Sequence, residues 1–211
     1  MRQPAWRNTL RTTTTTATVA GILFTVIVQH STSAASIPPE EPRMSDSEPT
    51  AIVQVQNVAG IAADLLQVAE NRAGDVFHKI GARLIWDDTT TQQHFVVMFT
   101  LVLANVDQTR GPYWDAQDAL GFAAPPAHRA WVFWDHIEAE KARAPTIAIL
   151  LGDVMAHELG HLLLSSTGHS LRGIMRGNVP LRMQATETFT KRQALDILNR
   201  LEDRQAARRT E

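Results

Sequence analysis

Between Ile61 and Ile80 the apolar residues Leu65, Leu66, Ala69, Ala73, Val76, Phe77 and Ile80 recur at steps of three and four. That spacing predicts an amphipathic helix with one buried face. Gly81 then supplies a C-cap, and Ala82 to Trp86 (ARLIW) reads as a strand after an earlier short one at Ile52 to Gln56. Phe95 to Leu103 (FVVMFTLVL) is almost continuously apolar and rich in β-formers, as a buried strand should be. Asn105 to His128 carries Gly111, Pro112, Gly121, Pro125 and Pro126 and reads as a long irregular excursion. Ala130 to Trp134 (AWVFW) is a further strand. A long helix follows from about Pro145 to Leu164, with proline suited to its first turn. Thr190 can cap a last helix ending near Asp203. The order is β-α-β-β-β-α-loop-α, an α+β plan around one mixed sheet.

Composition narrows the possibilities. The chain has 211 residues, 44% of them hydrophobic and 20% charged, which suits one domain with a real core. The net charge of −2 and the lack of a basic run beyond the N-terminus argue against nucleic-acid binding. Cysteine is absent, which excludes disulfides, thiolate-bound zinc and a cysteine nucleophile.

The first 35 residues read as a secretory signal peptide. Arg2, Arg7 and Arg11 precede the apolar stretch of 12 residues from Ala17 to Val28, and Ser33-Ala34-Ala35 offers a small-x-small cleavage site. A spanning helix needs roughly 20 apolar residues, so cleavage and export are expected, with no stable membrane span afterwards. Residues 36–49 (SIPPEEPRMSDSEP) form a proline-rich, acidic leader. The folded domain is expected over 50–204, followed by a charged, frayed tail at 205–211.

The chemistry concentrates in one helix. His157-Glu158-Leu159-Gly160-His161 places two imidazoles one turn apart on the same face, where both reach one metal ion. Glu158 lies beside that face as a general base for a water held there. Catalytic zinc takes three protein ligands and keeps one position open. His169, after the turn-permitting Gly168, is the candidate third ligand, with Glu187 next. Asp153, one turn before His157, could orient a ligand imidazole, or equally be a plain helix-surface residue or act through the N-terminal dipole. Tyr113, the single tyrosine, is a weak candidate for a transition-state contact.

The stretch HELGHLLLSSTGHSLRGIM resembles the zinc-binding signature of the metzincin metallopeptidases, especially the matrixin-like branch, whose pattern is HExxHxxGxxH followed by a methionine turn. His157, Glu158 and His161 match directly, and Gly160 matches a residue common in matrixins. Ile174-Met175 looks like the Met-turn, at the matrixin-type interval from His157. The family's glycine position is Leu164 here and its third-histidine position is Thr167. His169 thus stands two residues late, a shift that a helix extended by half a turn could absorb. The resemblance implies a metzincin-like catalytic domain: a mixed twisted sheet, a long packing helix, an active-site helix and a C-terminal helix. It also implies an edge strand that pairs with extended substrate, to which Ala130 to Trp134 corresponds. Trp131, Phe133 and Trp134 are expected in the core, and Glu138, Glu140, Lys141 and Arg143 on a solvated helical face.

The expected function is therefore exported, zinc-dependent endopeptidase activity on peptide or protein substrates, with Glu158 as general base. The alternatives are an exported zinc-binding or interaction module of peptidase descent without catalysis, or a metal hydrolase acting on other bonds.

Overall fold

A run of β-branched residues opens the sheet. In the computed structural model, which describes residues 48–87, 97–109, 119–140, 146–164, 168–177 and 187–209, Thr50–Asn57 forms strand β1. Helix α1 spans Ala63–His78 and buries Ala69, Ala73, Val76 and Phe77, the face that the three- and four-residue spacing predicts. Gly81 ends it: with φ +83° it takes a left-handed conformation that a side chain disfavours. The amides of Gly81 and Ala82 donate back to the carbonyls of His78 and Phe77.

Strands β2 (Arg83–Asp87) and β3 (Val97–Ala104) pair with β1 on its two sides, both parallel. The strand expected at Phe95 to Leu103 is thus present, its first two residues lying outside the described ones. β5 (Arg129–Phe133) adds to β3 in parallel, and β4 (Gly121–Ala124) adds to β5 antiparallel. The five-stranded order is β2-β1-β3-β5-β4.

Strand β4 corrects the irregular excursion expected over Asn105 to His128. The run Gly121-Phe122-Ala123-Ala124 has modest strand propensity of its own, and its pairing with β5 decides its conformation. Pro125–Ala127 turns the chain, with His128 left-handed at φ +52°, so the two strands make a hairpin. The edge position passes with it. Ala130 to Trp134 is not the edge strand, because β5 is paired on both sides; β4 is. Trp134 leaves the sheet to start the short helix α2 (Trp134–Ala139).

Helix α3 (Ile147–Leu163) is capped by Thr146, whose Oγ1 accepts from the amide of Ile149 at 3.2 Å. It is buried on nearly every side, as a helix packed between α1 and the β4–β5 hairpin must be. The core joins Ala51, Val53, Phe77, Phe99, Leu101, Leu103, Val132, Leu151, Met155, Leu159 and Leu163. Helix α4 (Lys191–Arg209) begins with a reciprocal cap: the Thr190 amide donates to Gln193, and the Gln193 amide donates to Thr190. It runs on to Arg209, past the end expected at Asp203, so it takes in residues 205–209 of the expected tail. Gln205 holds that last part by donating to the Thr50 carbonyl at 3.0 Å. The described residues all belong to one compact unit, Met44–Glu211. Among them no helix is long and apolar enough to cross a membrane.

Candidate metal centre

Helical periodicity brings the first two imidazoles together. His157 and His161 project from one face of α3 with their Nε2 atoms 3.0 Å apart. The helix stops at Leu163, and Leu164 turns extended with ψ 147°. The half-turn extension expected to absorb the shifted third histidine is therefore absent, because the amide of Leu164 already closes the last turn onto Gly160. His169 arrives all the same. Its ring lies 5.2 Å from that of His157 and 5.1 Å from that of His161. One ligand atom from each of the three histidines falls within 4.8 Å of the other two, the one such cluster among the described residues.

Behind His169 the chain makes a tight turn: the amide of Ser170 donates to the carbonyl of Met175, and the amide of Ile174 to that of Thr188. Both Ile174 and Met175 are fully buried. Gly160 on α3 makes room for Met175 and for Phe189, since a Cβ there would lie 2.5 Å from Met175 Sδ and 2.8 Å from Phe189 Cε1. The helix thus rests on the methionine through a missing side chain. The carbonyl of Ile174 accepts a hydrogen bond from Nδ1 of His157 at 2.8 Å. That bond puts the proton on Nδ1 and leaves Nε2 as a bare lone pair aimed at the cluster.

This geometry fits a metal. Tetrahedral zinc about 2.0–2.1 Å from each imidazole nitrogen separates those nitrogens by roughly 3.3 Å, close to the spacing of the facing pair. The electrostatics agree. Burial, reinforced by the neighbouring imidazoles, lowers the pKa of His161 to about 4, and burial also lowers that of His157. Both rings are neutral donors at neutral pH, so a cation displaces no proton from them. Glu158 is 6% exposed, and burial pushes its carboxyl up to about 8.

Two sequence candidates end elsewhere. Asp153 does not orient an imidazole: it pairs with Arg72 of α1 at 2.6 Å, both side chains buried, while the Ile174 carbonyl does the orienting. Nor does Asp153 lie on an exposed helix surface. Burial raises its pKa to about 6 even against the opposing pull of Arg72. Glu187 faces Arg176 at 3.6 Å rather than joining the histidines. Tyr113 lies outside the described residues, as do the signal peptide and nearly all of the leader.

No protein-family model and no curated protein matches the chain. Solved structures similar to it include two zinc peptidases. One is a zinc-dependent peptidase from Methanocorpusculum labreanum, at 14% identity and TM-score 0.47, covering 69% of this chain and 99% of that one. The other is an archaemetzincin from Methanopyrus kandleri, at 14% identity and TM-score 0.48, covering 74% of this chain and 98% of that one.

Two features escaped sequence reasoning. The Ile174 carbonyl is a backbone group and leaves no trace in composition. Strand β4 had a signal that was available: two short runs separated by Pro125-Pro126, a hairpin pattern.

Proposed function

We propose that this protein is an exported zinc-dependent endopeptidase, with His157, His161 and His169 holding the metal and Glu158 moving the proton. One observation carries the reading: three imidazoles from two segments converge, and a buried carboxyl directly follows the first of them on the same helix. A zinc ion bound there would polarise the scissile carbonyl and acidify a water. The protein's own residues supply the rest. The bond from His157 to Ile174 orients the ligand ring. Without a cation Glu158 holds a proton up to about pH 8, and a nearby positive charge draws that value down. A carboxyl so poised can accept a proton at neutral pH and return it to the leaving amine.

The sheet offers a place for an extended peptide. The amide of Phe133 donates to Leu120, and the register opposes Gly121 to Val132 and Phe122 to Trp131. Bonded and non-bonded pairs alternate in an antiparallel ladder. Phe122 and Ala124 therefore spend their backbone groups on β5, while those of Gly121 and Ala123 point to the outer edge. Substrate pairing with that edge would be β-augmentation.

The matrixin-like resemblance supports the same chemistry through the interval from His157 to Met175, and the N-terminal signal pattern supports export. The idle metal-holding module is the weaker alternative. Burying the Glu158 carboxyl costs free energy that a metal holder gains nothing from.

The test is elemental mass spectrometry on the parent, His169→Ala and Glu187→Ala, with a fluorogenic casein assay on the parent and Glu158→Ala. About one zinc per chain is expected in the parent and Glu187→Ala, with a large loss in His169→Ala. Glu158→Ala should keep the zinc and lose hydrolysis. Full activity in Glu158→Ala would remove the mechanism.

A further inference from the structure

Strand β4 begins against Glu158. A Cβ at Gly121 would lie 2.7 Å from both Cγ and Oε1 of Glu158, and 2.8 Å from the carbonyl oxygen of Trp131. Carbon atoms pack at about 3.5–4.0 Å, so only a hydrogen fits there.

The backbone does not explain the glycine. Gly121 is not among the glycines with positive φ, which are Gly60, Gly81 and Gly173, so a side chain could adopt its conformation. Glycine inside a strand loses roughly 0.5–1 kcal/mol relative to alanine. Two close approaches remain to account for it, one to Glu158 and one to the Trp131 carbonyl, and the first touches the site. The carboxyl, for its part, has little room to move. It is held on a helix whose residues are buried nearly throughout, with β4 against it.

We propose that Gly121 is a positioning residue: its missing side chain lets the edge strand press against Glu158 and hold that carboxyl in one place beside the imidazoles. The inference rests on the reading above, in which Glu158 moves the proton. It makes one short strand serve twice. The outer edge of Gly121 meets the substrate backbone, and its inner face fixes the group that acts on that substrate. A substrate residue paired at Gly121 is thereby placed next to Glu158. Adding a methyl would push the carboxyl aside while leaving the three histidines, which lie on α3 and the following turn, where they are.

The experiment is a double-mutant cycle on the full chain, using Gly121→Ala with Glu158→Ala and with Glu158→Asp. Zinc content should be unchanged in Gly121→Ala. On casein its KM should stay within about threefold while kcat falls about 100-fold, as for a misplaced catalytic group. In the Glu158→Asp background, whose carboxyl is one methylene shorter, the same change should cost less than about tenfold.

Melting of the metal-free protein gives a second readout that needs no activity. Gly121→Ala should lower Tm by about 5 °C in the parent and about 2 °C or less in Glu158→Ala. Equal losses in both backgrounds would place the clash at Trp131 alone and overturn the proposal, as would full kcat in Gly121→Ala. If Gly121→Ala fails to fold, the double variant with Glu158→Ala decides: folding supports the contact and failure overturns it. Casein hydrolysis absent in the parent would instead remove the peptidase reading, with the Tm cycle still deciding the contact.

Discussion

Nδ1 of His157 donates to the carbonyl of Ile174 at 2.8 Å, and the next residue, Met175, packs its sulfur into the space left by Gly160. The two contacts form a closed circuit. Gly160 seats Met175, Met175 fixes the turn that carries Ile174, and Ile174 orients the ring that stands one turn before Gly160. A candidate ligand histidine is thus held by a neighbour of its own helix, through the chain's return.

Gly160→Ala should break that circuit. Overpacking of this kind costs about 1–3 kcal/mol, and loss of an outer hydrogen bond to a ligand imidazole weakens metal affinity about 10–100-fold. Chelator competition and thermal melting on the same sample measure both. Unchanged zinc affinity would detach the methionine from the metal centre.

Arg72 and Asp153 are 5% and 1% exposed and joined by a 2.6 Å contact across α1 and α3. Removing one partner strands a buried charge, so Arg72→Ala should cost about 3–5 kcal/mol. The double variant Arg72→Met with Asp153→Leu should come close to the parent. Urea unfolding measures the difference. Zinc affinity in the double variant should be that of the parent, because Asp153 touches no ligand ring.

The metal-free protein should lose stability as pH rises from about 7.5 through 8. Glu158 is the cause: its folded pKa of about 8 lies above its ordinary value of 4.5, so the folded state keeps a proton that the unfolded chain gives up. Its contribution is complete below 4.5 and is lost as pH climbs through 8. His157 and His161, whose values are lowered from 6.5, take up protons on unfolding near and below that pH, an opposite slope that fades by about pH 7.5 and leaves Glu158 alone above it. The limit for one proton is about 1.4 kcal/mol per pH unit. Melting temperatures across this range, for the parent and Glu158→Gln, should show the slope in the parent alone.

Chelation should leave the fold standing. The buried apolar cluster includes none of the three imidazoles, so the core does not depend on the ion, unlike small zinc modules that unfold without it. Far-UV circular dichroism should be unchanged after metal removal, while amide exchange should quicken in the turn from His169 to Gly177.

What the sequence disclosed follows the range of the forces involved. Helix α1, the Thr190 cap and the His157–His161 pair are set by residues three or four positions apart, and all were legible. The pair between Arg72 and Asp153 spans 81 positions, so helical spacing suggested a local role for Asp153 that its distant partner overrides. Strand β4 is similar. Gly121-Phe122-Ala123-Ala124 becomes a strand through β5, and the edge was therefore assigned to the more strand-like Ala130 to Trp134. His169 was legible as a residue type, but its route to the cluster was not, since the helix ends without the extra half turn.

The hydrogen bond from Gln205 to the carbonyl of Thr50 joins positions 155 apart, and β1, where Thr50 begins, sits inside a sheet whose other strands all come later in the chain. Strand β1 thus emerges before every other strand of this sheet, and its bond to Gln205 waits for 155 further residues. At about 5–20 residues per second, that wait is many times longer than the microseconds in which a helix or hairpin forms. Local elements such as α1 can therefore form well before the contact that ties β1 to the last helix.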